Sequence, residues 1–413
     1  MEARLFLEAH SFLETHLGDA EARIVKIVAS IDAIGAADWD ACANPDPSTF
    51  NPFLAHAFLK ALEDSGAVGP GTGWTPHHLV LEDADGAVSG VMALYGKTHS
   101  QGEYVFDHAW AEALHRAGGH YYPKLQAAVP FTPVPGRRIL ARPGPREAET
   151  ERLLALAARA VAARIGASSV HLTFLTKGEW ERLAGEDFLQ RTGQQFHWHN
   201  AGYRSFDDFL ATLASRKRKA IRKERAEAQS AIEIFSVTGS KITDAHWDAF
   251  FGFYLDTGSR KWGRPYLNRD FFSKLGAAMA DRCLLVFARD GDDLVAGALH
   301  LIGGDCLYGR YWGSSAYHPA LHFELCYYQA IDYAIAHGLA RAEAGAQGEH
   351  KLARGYLPET TYSSHWLADP RLEAAVARYL AEERDDIAEV NALLREHGPF
   401  RKDGGSTGAA GEG

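Results

Sequence analysis

The fold is decided by CLLVFARDGDDLVAGALHLIGGDCLYGRYWG, residues 283–313. CLLVFAR (283–289) and VAGALHLIG (295–303) are apolar, β-branched runs flanking the turn DGDD (290–293), which is a hairpin signal. CLYGRYWG (306–313) reads as a third strand. Downstream, LHFELCYYQAIDYAIAHG (321–338) is an amphipathic helix ended by glycine, and ARAEAGAQ (340–347) is strand-like. The same order occurs upstream. HHLVLED (77–83), the turn ADG (84–86) and VSGVMALYGK (88–97) form a hairpin, and GEYVFD (102–107) is a third extended stretch. The helix EAETERLLALAARAVAARIG (147–166) and the strand SSVHLTFL (168–175) follow. Element order repeats while residue identity does not, which points to an internal duplication; one large irregular α/β domain is the alternative.

The class is therefore α/β (α+β), two tandem domains, each a mixed sheet flanked by helices. The expected boundaries are a helical extension over 1–22, a first domain over 23–200, a second over 201–400 and a disordered tail over 401–413. The segment SFDDFLATLASRKRKAIRKERAEAQ (205–229) is expected to be a single helix inserted in the second domain, with Ser205 as N-cap. An acidic amphipathic helix is expected over 371–397.

The totals narrow the function. The chain has 413 residues, with 43 Lys+Arg against 53 Asp+Glu, a formal charge of −10. That argues against a general coat for nucleic acid and leaves room for one local basic groove. No apolar run approaches the ~18–20 residues that cross a bilayer; the most apolar helical stretch, 153–167, is broken by Arg159 and Arg164. The N-terminus lacks the basic start and apolar middle of a secretory signal. Cys42, Cys283, Cys306 and Cys326 lie far apart with no C-x-x-C pair, so reducing cytoplasm is the expected setting. Histidines are scattered, His197 and His199 being the closest pair, and no metal site is expected.

Several long blocks carry a resemblance. GRYWGSSAYHPALHFELCYYQAIDYAIAHG (309–338), AEAGAQGEHKLARGYLPETTYSSHW (342–366), FLKALEDSG (58–66), KTHSQGEYVFD (97–107), YYPKLQAAVPFTPVPGRRIL (121–140), SRKRKAIRKER (215–225) and RKWGRPYLNRDFF (260–272) resemble the FemAB-like predicted N-acyltransferases, the peptidoglycan biosynthesis or recognition proteins of the GNAT acyltransferase superfamily. The likeness covers about residues 25–385 and implies two GNAT-like domains in tandem that move an acyl group from an activated carrier to an amine. Some members of the family act on long-chain amino-lipids in bacterial ceramide synthesis. Fem-type relatives take amino acids from aminoacyl-tRNA to cell-wall precursor peptides. The Q/R-x-x-G-x-G/A motif that holds the pyrophosphate of coenzyme A in this superfamily is replaced by SSAYHPALHFE (314–324) in the second half. PVPGRRILARPGPRE (133–147) in the first half has the wrong spacing. Coenzyme A, an acyl carrier protein and tRNA all stay open as carriers, and no tightly bound cofactor is expected.

Acyl transfer to an amine needs a proton acceptor, donors for the developing oxyanion and a grip on the carrier. QGEHKLARG (347–355) gathers Gln347, Glu349, His350, Lys351 and Arg354 past a predicted strand end, with Glu349 or His350 as base. The bland alternative is a solvated loop. At the helix start, His322 and Cys326 share a face and the dipole favours a neutral His322; Glu324, on another face of that turn, completes the proton-transfer candidates. Lys97, His99, Glu103, Asp107, Tyr122 and Lys124 are candidates for the acceptor side of a cleft between domains. Arg310 is a candidate anion clamp, with Tyr311 and Trp312 lining an apolar channel. Arg216, Lys217, Arg218, Lys219, Arg222, Lys223 and Arg225 crowd one helix against a single Glu224. Arg218, Lys219, Arg222, Lys223 and Arg225 are the expected grip on an anionic carrier or membrane surface, against a solvated face as the alternative. The expected activity is N-acyl transfer from a fatty-acyl thioester to an amino-lipid such as a sphingoid base, in the cytoplasm or peripheral to the inner membrane. A tRNA-dependent aminoacyltransferase and a non-catalytic lipid or peptidoglycan recognition module are the alternatives.

Overall fold

The computed structural model describes residues 5–7, 12–15, 23–230, 232–262, 265–345 and 348–401. Its strands form two sheets. A six-stranded antiparallel sheet runs in the order Leu5–Leu7, Phe12–Thr15, Arg23–Val28, His78–Glu82, Val88–Met92, Leu140–Ala141. The expected helical extension over 1–22 is thus corrected: its described parts, Leu5–Leu7 and Phe12–Thr15, are two strands paired with each other.

The second sheet has eleven strands and runs through both halves of the chain. Its order is Glu233–Thr238, Cys283–Asp290, Asp293–Ile302, Cys306–Ser314, Arg341–Glu343, Leu189–His199, Leu357–Leu367, Ser169–Leu175, Lys124–Ala127, Leu94–Lys97, Trp74–Pro76. The two long strands at its centre are exchanged. Leu189–His199, which ends the first half, pairs with Arg341–Glu343 of the second. Leu357–Leu367, which ends the second half, pairs with Ser169–Leu175 of the first. The two exchanged strands also pair antiparallel with each other over nine residues, Leu189↔His365 to His197↔Leu357.

Each half packs a helix on its sheet. Glu147–Ile165 buries Leu153, Leu154, Ala157, Ala158 and Val161 among Leu79, Leu81, Leu125 and Leu172, and stops at Gly166, whose φ of 67° suits a residue without Cβ. In the second half, the segment from Leu321 to Ala336 packs Leu325, Tyr328 and Ile331 against Val286, Ala298 and Leu307. A third apolar core crosses between the halves, joining Trp39, Phe53, Phe58 and Trp74 to Phe250, Phe271, Phe287 and Tyr308.

Three expected elements differ. The strand expected over 88–97 breaks at Ala93, so Val88–Met92 stays in the smaller sheet and Leu94–Lys97 joins the larger one. The stretch 102–107 is a loop, turned by Gly102 (φ 80°) and Tyr104 (φ 61°). The 205–229 helix is two: Phe206–Thr212, capped by Ser205 Oγ on the Asp208 N–H, and Ser215–Gln229. The break comes at Leu213, which goes extended and bridges Phe400, while the Ala214 N–H donates to the Pro399 carbonyl. The last helix spans Pro370–Glu396.

Candidate functional site: a cleft where two parallel strands part

Cys306–Ser314 and Arg341–Glu343 pair in parallel only at Cys306↔Arg341, Leu307↔Ala342 and Tyr308↔Glu343. On the other edge, His300 faces Gly309 and Leu299 faces Tyr311, so Arg310 is an extra, bulged residue at the point of parting. A cavity of about 250 Å³ opens there. Leu299, Tyr311 and Trp312 form its strand wall, His322, Cys326 and Tyr327 its helix wall, and Tyr104 and Pro133 reach in from the first half. Beyond Tyr308 the strand edge has no ladder partner in the described register. Alternate N–H groups of 309–313 therefore turn toward the gap.

The helix wall is irregular. It begins at Ala320 (φ 58°), makes one α turn at Leu321–Phe323, a π turn at Glu324–Tyr328, and resumes as α over Gln329–Ala336. A π turn adds a residue and is frequent at functional sites. His300 Nε2 donates to the Leu325 carbonyl of this turn at 3.2 Å. Burial pushes the His300 imidazole down to about 4, partly offset by that bond, so the ring is neutral near pH 7. Nothing in the pattern of the 295–303 strand singled His300 out.

The turn after Arg341–Glu343 closes the cleft. Gly348 and Gly355, both at positive φ, bracket a 3₁₀ segment, Glu349–Arg354. A Cβ on Gly348 would meet the His350 ring at 2.5 Å, so this glycine admits the imidazole. Tyr327 OH and His350 Nε2 lie 2.9 Å apart, and the His322 ring stands 6.2 Å from His350 and 5.1 Å from Trp312. Lys351 is buried, its Nζ donating to the Gly345 carbonyl at 2.8 Å, and burial lowers its pKa to about 8. Arg354 donates to both oxygens of Glu224, at 2.8 and 2.9 Å, and stacks 3.4 Å over Phe323. Of the candidates on this turn, Gln347 lies outside the described residues, and only the backbone of Glu349 is described. His322 lines the cleft, His350 borders it through Tyr327, and Lys351 is buried against the carbonyl of Gly345, which lines it.

Other candidates have different surroundings. Glu324 is fully buried, accepting from both Arg225 donors (3.1 and 2.9 Å), Gln229 (2.9 Å) and Gln329 (2.8 Å). Its carboxylate latches the basic helix to the cleft helix instead of facing the cavity. Arg225 also holds Asp332 at 2.6 Å, and Arg222 pairs with Asp207 at 2.8 Å. Two of the five cations of the expected grip, Arg222 and Arg225, are thus engaged in ion pairs within the chain. Arg310 lines the cavity, but its Nη2 donates to the Phe131 carbonyl at 2.8 Å, tying the halves together instead of standing open as an anion clamp.

The first-half candidates gather in a buried charge network beneath the 98–107 loop, not on a cleft surface. Lys124 Nζ donates to Ser100 Oγ (2.9 Å), Glu103 (2.7 Å) and Asp107. Lys97 lies 3.6 Å over the Trp74 ring and 3.6 Å from Glu103. Burial drives the Lys97 pKa down to about 7, against the pull of Glu103. Burial also raises Glu103, whereas Asp107, which burial alone would raise, is held low by Lys124 and His171. Tyr122 OH bonds Ser100 Oγ at 2.8 Å, and His99 bonds the Thr72 carbonyl at 3.1 Å. The network runs on from Asp107 through Tyr121 OH (2.7 Å) and His171 to His365, whose Nδ1 lies 2.7 Å from that of His171 where Ser169–Leu175 pairs with Leu357–Leu367. Both rings are buried and neutral. That histidine pair had no sequence signal, because its members are 194 residues apart.

Among the described residues no group of three His, Cys, Asp or Glu side chains is disposed to hold a metal ion, and no helix is long and apolar enough to cross a membrane.

Comparison with known proteins agrees with this architecture. Among solved structures, FemX superposes with a TM-score of 0.53 at 12% identity, covering 83% of this chain and 98% of its own. L-PGS from Bacillus licheniformis aligns at 9% identity with a TM-score of 0.48, covering 80% and 98%. A tandem GNAT protein from the clavulanic acid biosynthesis pathway aligns at 11% identity with a TM-score of 0.47, covering 84% and 99%. No curated protein matches by sequence. The fold is thus that of FemX. The FemAB-like model, described as peptidoglycan biosynthesis/recognition, matches residues 30–402. A match over nine-tenths of the chain makes this protein a member of the FemAB-like family.

Proposed function

We propose that the cleft between Cys306–Ser314 and Arg341–Glu343 transfers an acyl group from an activated carrier to an amine. The observation that carries the proposal is the parted strand pair. It leaves backbone N–H groups beside a cavity walled by Tyr311, Trp312, His322 and Tyr327, with His350 hydrogen-bonded at its edge. The amine nitrogen attacks the carbonyl carbon, and the oxygen that gains charge is met by N–H groups of 309–313. His350 takes the ammonium proton, steered by the Tyr327 hydroxyl; burial raises the Tyr327 pKa, so this phenol keeps its proton. The carrier's sulfur or oxygen leaves with the bonding electron pair and receives the proton that His350 took, which returns the imidazole to its neutral form. No enzyme-bound intermediate is required.

The aromatic lining favours an apolar chain, hence a fatty-acyl thioester as donor and an amino-lipid such as a sphingoid base as acceptor. Incubation with acyl-CoA or acyl carrier protein and long-chain amines, followed by mass spectrometry, should yield amide and free thiol in equal amounts. His350→Ala should slow amide formation about 10²–10⁴-fold. A second reading, aminoacyl transfer from tRNA to a cell-wall precursor, is favoured by the basic helix Ser215–Gln229 and by the likeness to FemX. Absence of amide with every thioester, together with ribonuclease-sensitive transfer from charged tRNA, would replace the first reading by the second.

A further inference from the structure

The basic run 216–225 is not one uniform surface. Its distal part is neutralised from within, Arg222 by Asp207 and Arg225 by Glu324 and Asp332. Its first turn is different. Helix Ser215–Gln229 follows Ala214, which offers no side-chain cap, and the first intrahelical bond is from the Arg218 N–H to the Ala214 carbonyl. The N–H groups of Ser215, Arg216 and Lys217 are therefore left at the positive end of a fifteen-residue helix. Among the described residues neither Arg216 nor Lys217 forms an ion pair.

Both side chains line a cavity of about 340 Å³ between this helix turn and the 349–354 segment, together with Glu224 and Arg354. Arg354 comes from the opposite side and is only 6% exposed. Its Nη1 donates to the His350 carbonyl and its Nη2 to Glu224, but its Nε is buried with no acceptor. Three cations thus face one carboxylate around the cavity, which already bonds Arg354 and the Tyr328 hydroxyl. Uncompensated positive charge, open helix N–H groups and an unsatisfied guanidinium N–H together suit a tetrahedral oxyanion.

We infer that this cavity binds a phosphate ester of the acyl carrier, an inference that rests on the transferase reading for the carrier but not for the phosphate. Arg354 connects the two sites. Its guanidinium stacks on Phe323, in the first turn of the cleft helix, and the Phe323 ring lies 5.8 Å from His350. A carrier anchored here by phosphate can extend its acyl end past Phe323 into the cleft. The grip thus falls on Arg216 and Lys217 with Arg354, and not on the 222–225 end of the stripe.

The test is calorimetric titration of the full chain at low salt with coenzyme A and, separately, with uncharged tRNA. It compares the wild type with the double variant Arg216→Ala/Lys217→Ala and the control Lys219→Ala/Lys223→Ala. The expected result is at least tenfold weaker binding in the first variant, less than threefold in the control, and unchanged thermal melting in both. Loss confined to coenzyme A identifies a small phosphate ester; loss confined to tRNA identifies a nucleic acid backbone, whose salt slope should fall by about two. Equal weakening in both variants, or no binding of either ligand by the wild type, overturns the inference. Acyl transfer with an unaltered donor KM in the first variant would overturn this site and leave the proposed reaction standing. Binding lost in that variant without any transfer by the wild type would do the reverse.

Discussion

Replacing Lys124 by methionine keeps the length of the side chain and removes its charge. In the folded protein this ammonium is fully buried, and it is the shared donor for Glu103 and Asp107, with Ser100 as its third partner. The remaining cation nearby, Lys97, lies 3.6 Å from Glu103 and is itself driven toward neutrality by burial. Lys124→Met therefore strands two carboxylates in a site shielded from water. Breaking a buried ion pair from one side costs about 3–5 kcal/mol, which equilibrium urea denaturation at pH 7 should report as a lower midpoint at constant slope. The deficit should depend on pH. Without Lys124, burial raises both folded-state carboxyl pKa values above their unfolded values, so the folded variant holds extra protons and loses stability as pH rises from about 4 to 7. Adding Glu103→Gln and Asp107→Asn to Lys124→Met should recover at least half of the loss, because no stranded charge is left. A deficit below about 1 kcal/mol at pH 7, or one equally large at pH 5 and pH 7, would refute the assignment of Lys124 as the counter-charge of this network.

The depressed pKa of Lys97 sets an opposite trend in the wild type. Between about 7 and the ordinary lysine value of 10.5 the unfolded chain carries a proton that the folded one lacks, so stability rises with pH across that window. Lys97→Met should remove that rise, whose limit is about 1.4 kcal/mol per pH unit, as read from denaturation curves between pH 7 and 9. Gly313→Ala should cost about 1–3 kcal/mol, because the new Cβ would lie 2.0 Å from the Phe253 carbonyl oxygen, a backbone atom of the helix Asp244–Trp262. Gly252→Ala on that same helix meets nothing within 4 Å. It should stabilise by about 0.5–1 kcal/mol, and melting of the pair of variants distinguishes the two positions.

Much of the fold could be read from local pattern because hairpins, caps and helix ends are local events. The DGDD turn, the Gly166 terminus and the Ser205 cap all sit where residue chemistry puts them. What was not legible depends on distant partners. Ala93 looks like any other strand residue, yet the chain changes sheets there, because Leu94 pairs with Ala127 and Met92 with Leu79. The 205–229 segment reads as one helix until Pro399 and Phe400 draw Ala214 and Leu213 out of it. The same distinction holds at the site. The polar density of 347–355 marks His350 and Lys351, but what Glu324 and Arg310 do is set by partners far away in sequence, Arg225 and the Phe131 carbonyl. Lys97, Glu103 and Lys124 read in sequence as candidates for a cleft wall, and only three-dimensional closure brings them together as buried ion pairs.

The exchange of Leu189–His199 and Leu357–Leu367 at the centre of the large sheet has a mechanical consequence. Neither half owns all the strands of its own sheet, so a chain cut after residue 200 would leave one piece without its central neighbour and the other with a raw edge. The halves are riveted together and cannot rock like jaws about a hinge. Ligand entry and exit then fall to the smaller parts around the cleft, such as the loop carrying Tyr104 and the connection 315–320, which can shift without tearing the ladder.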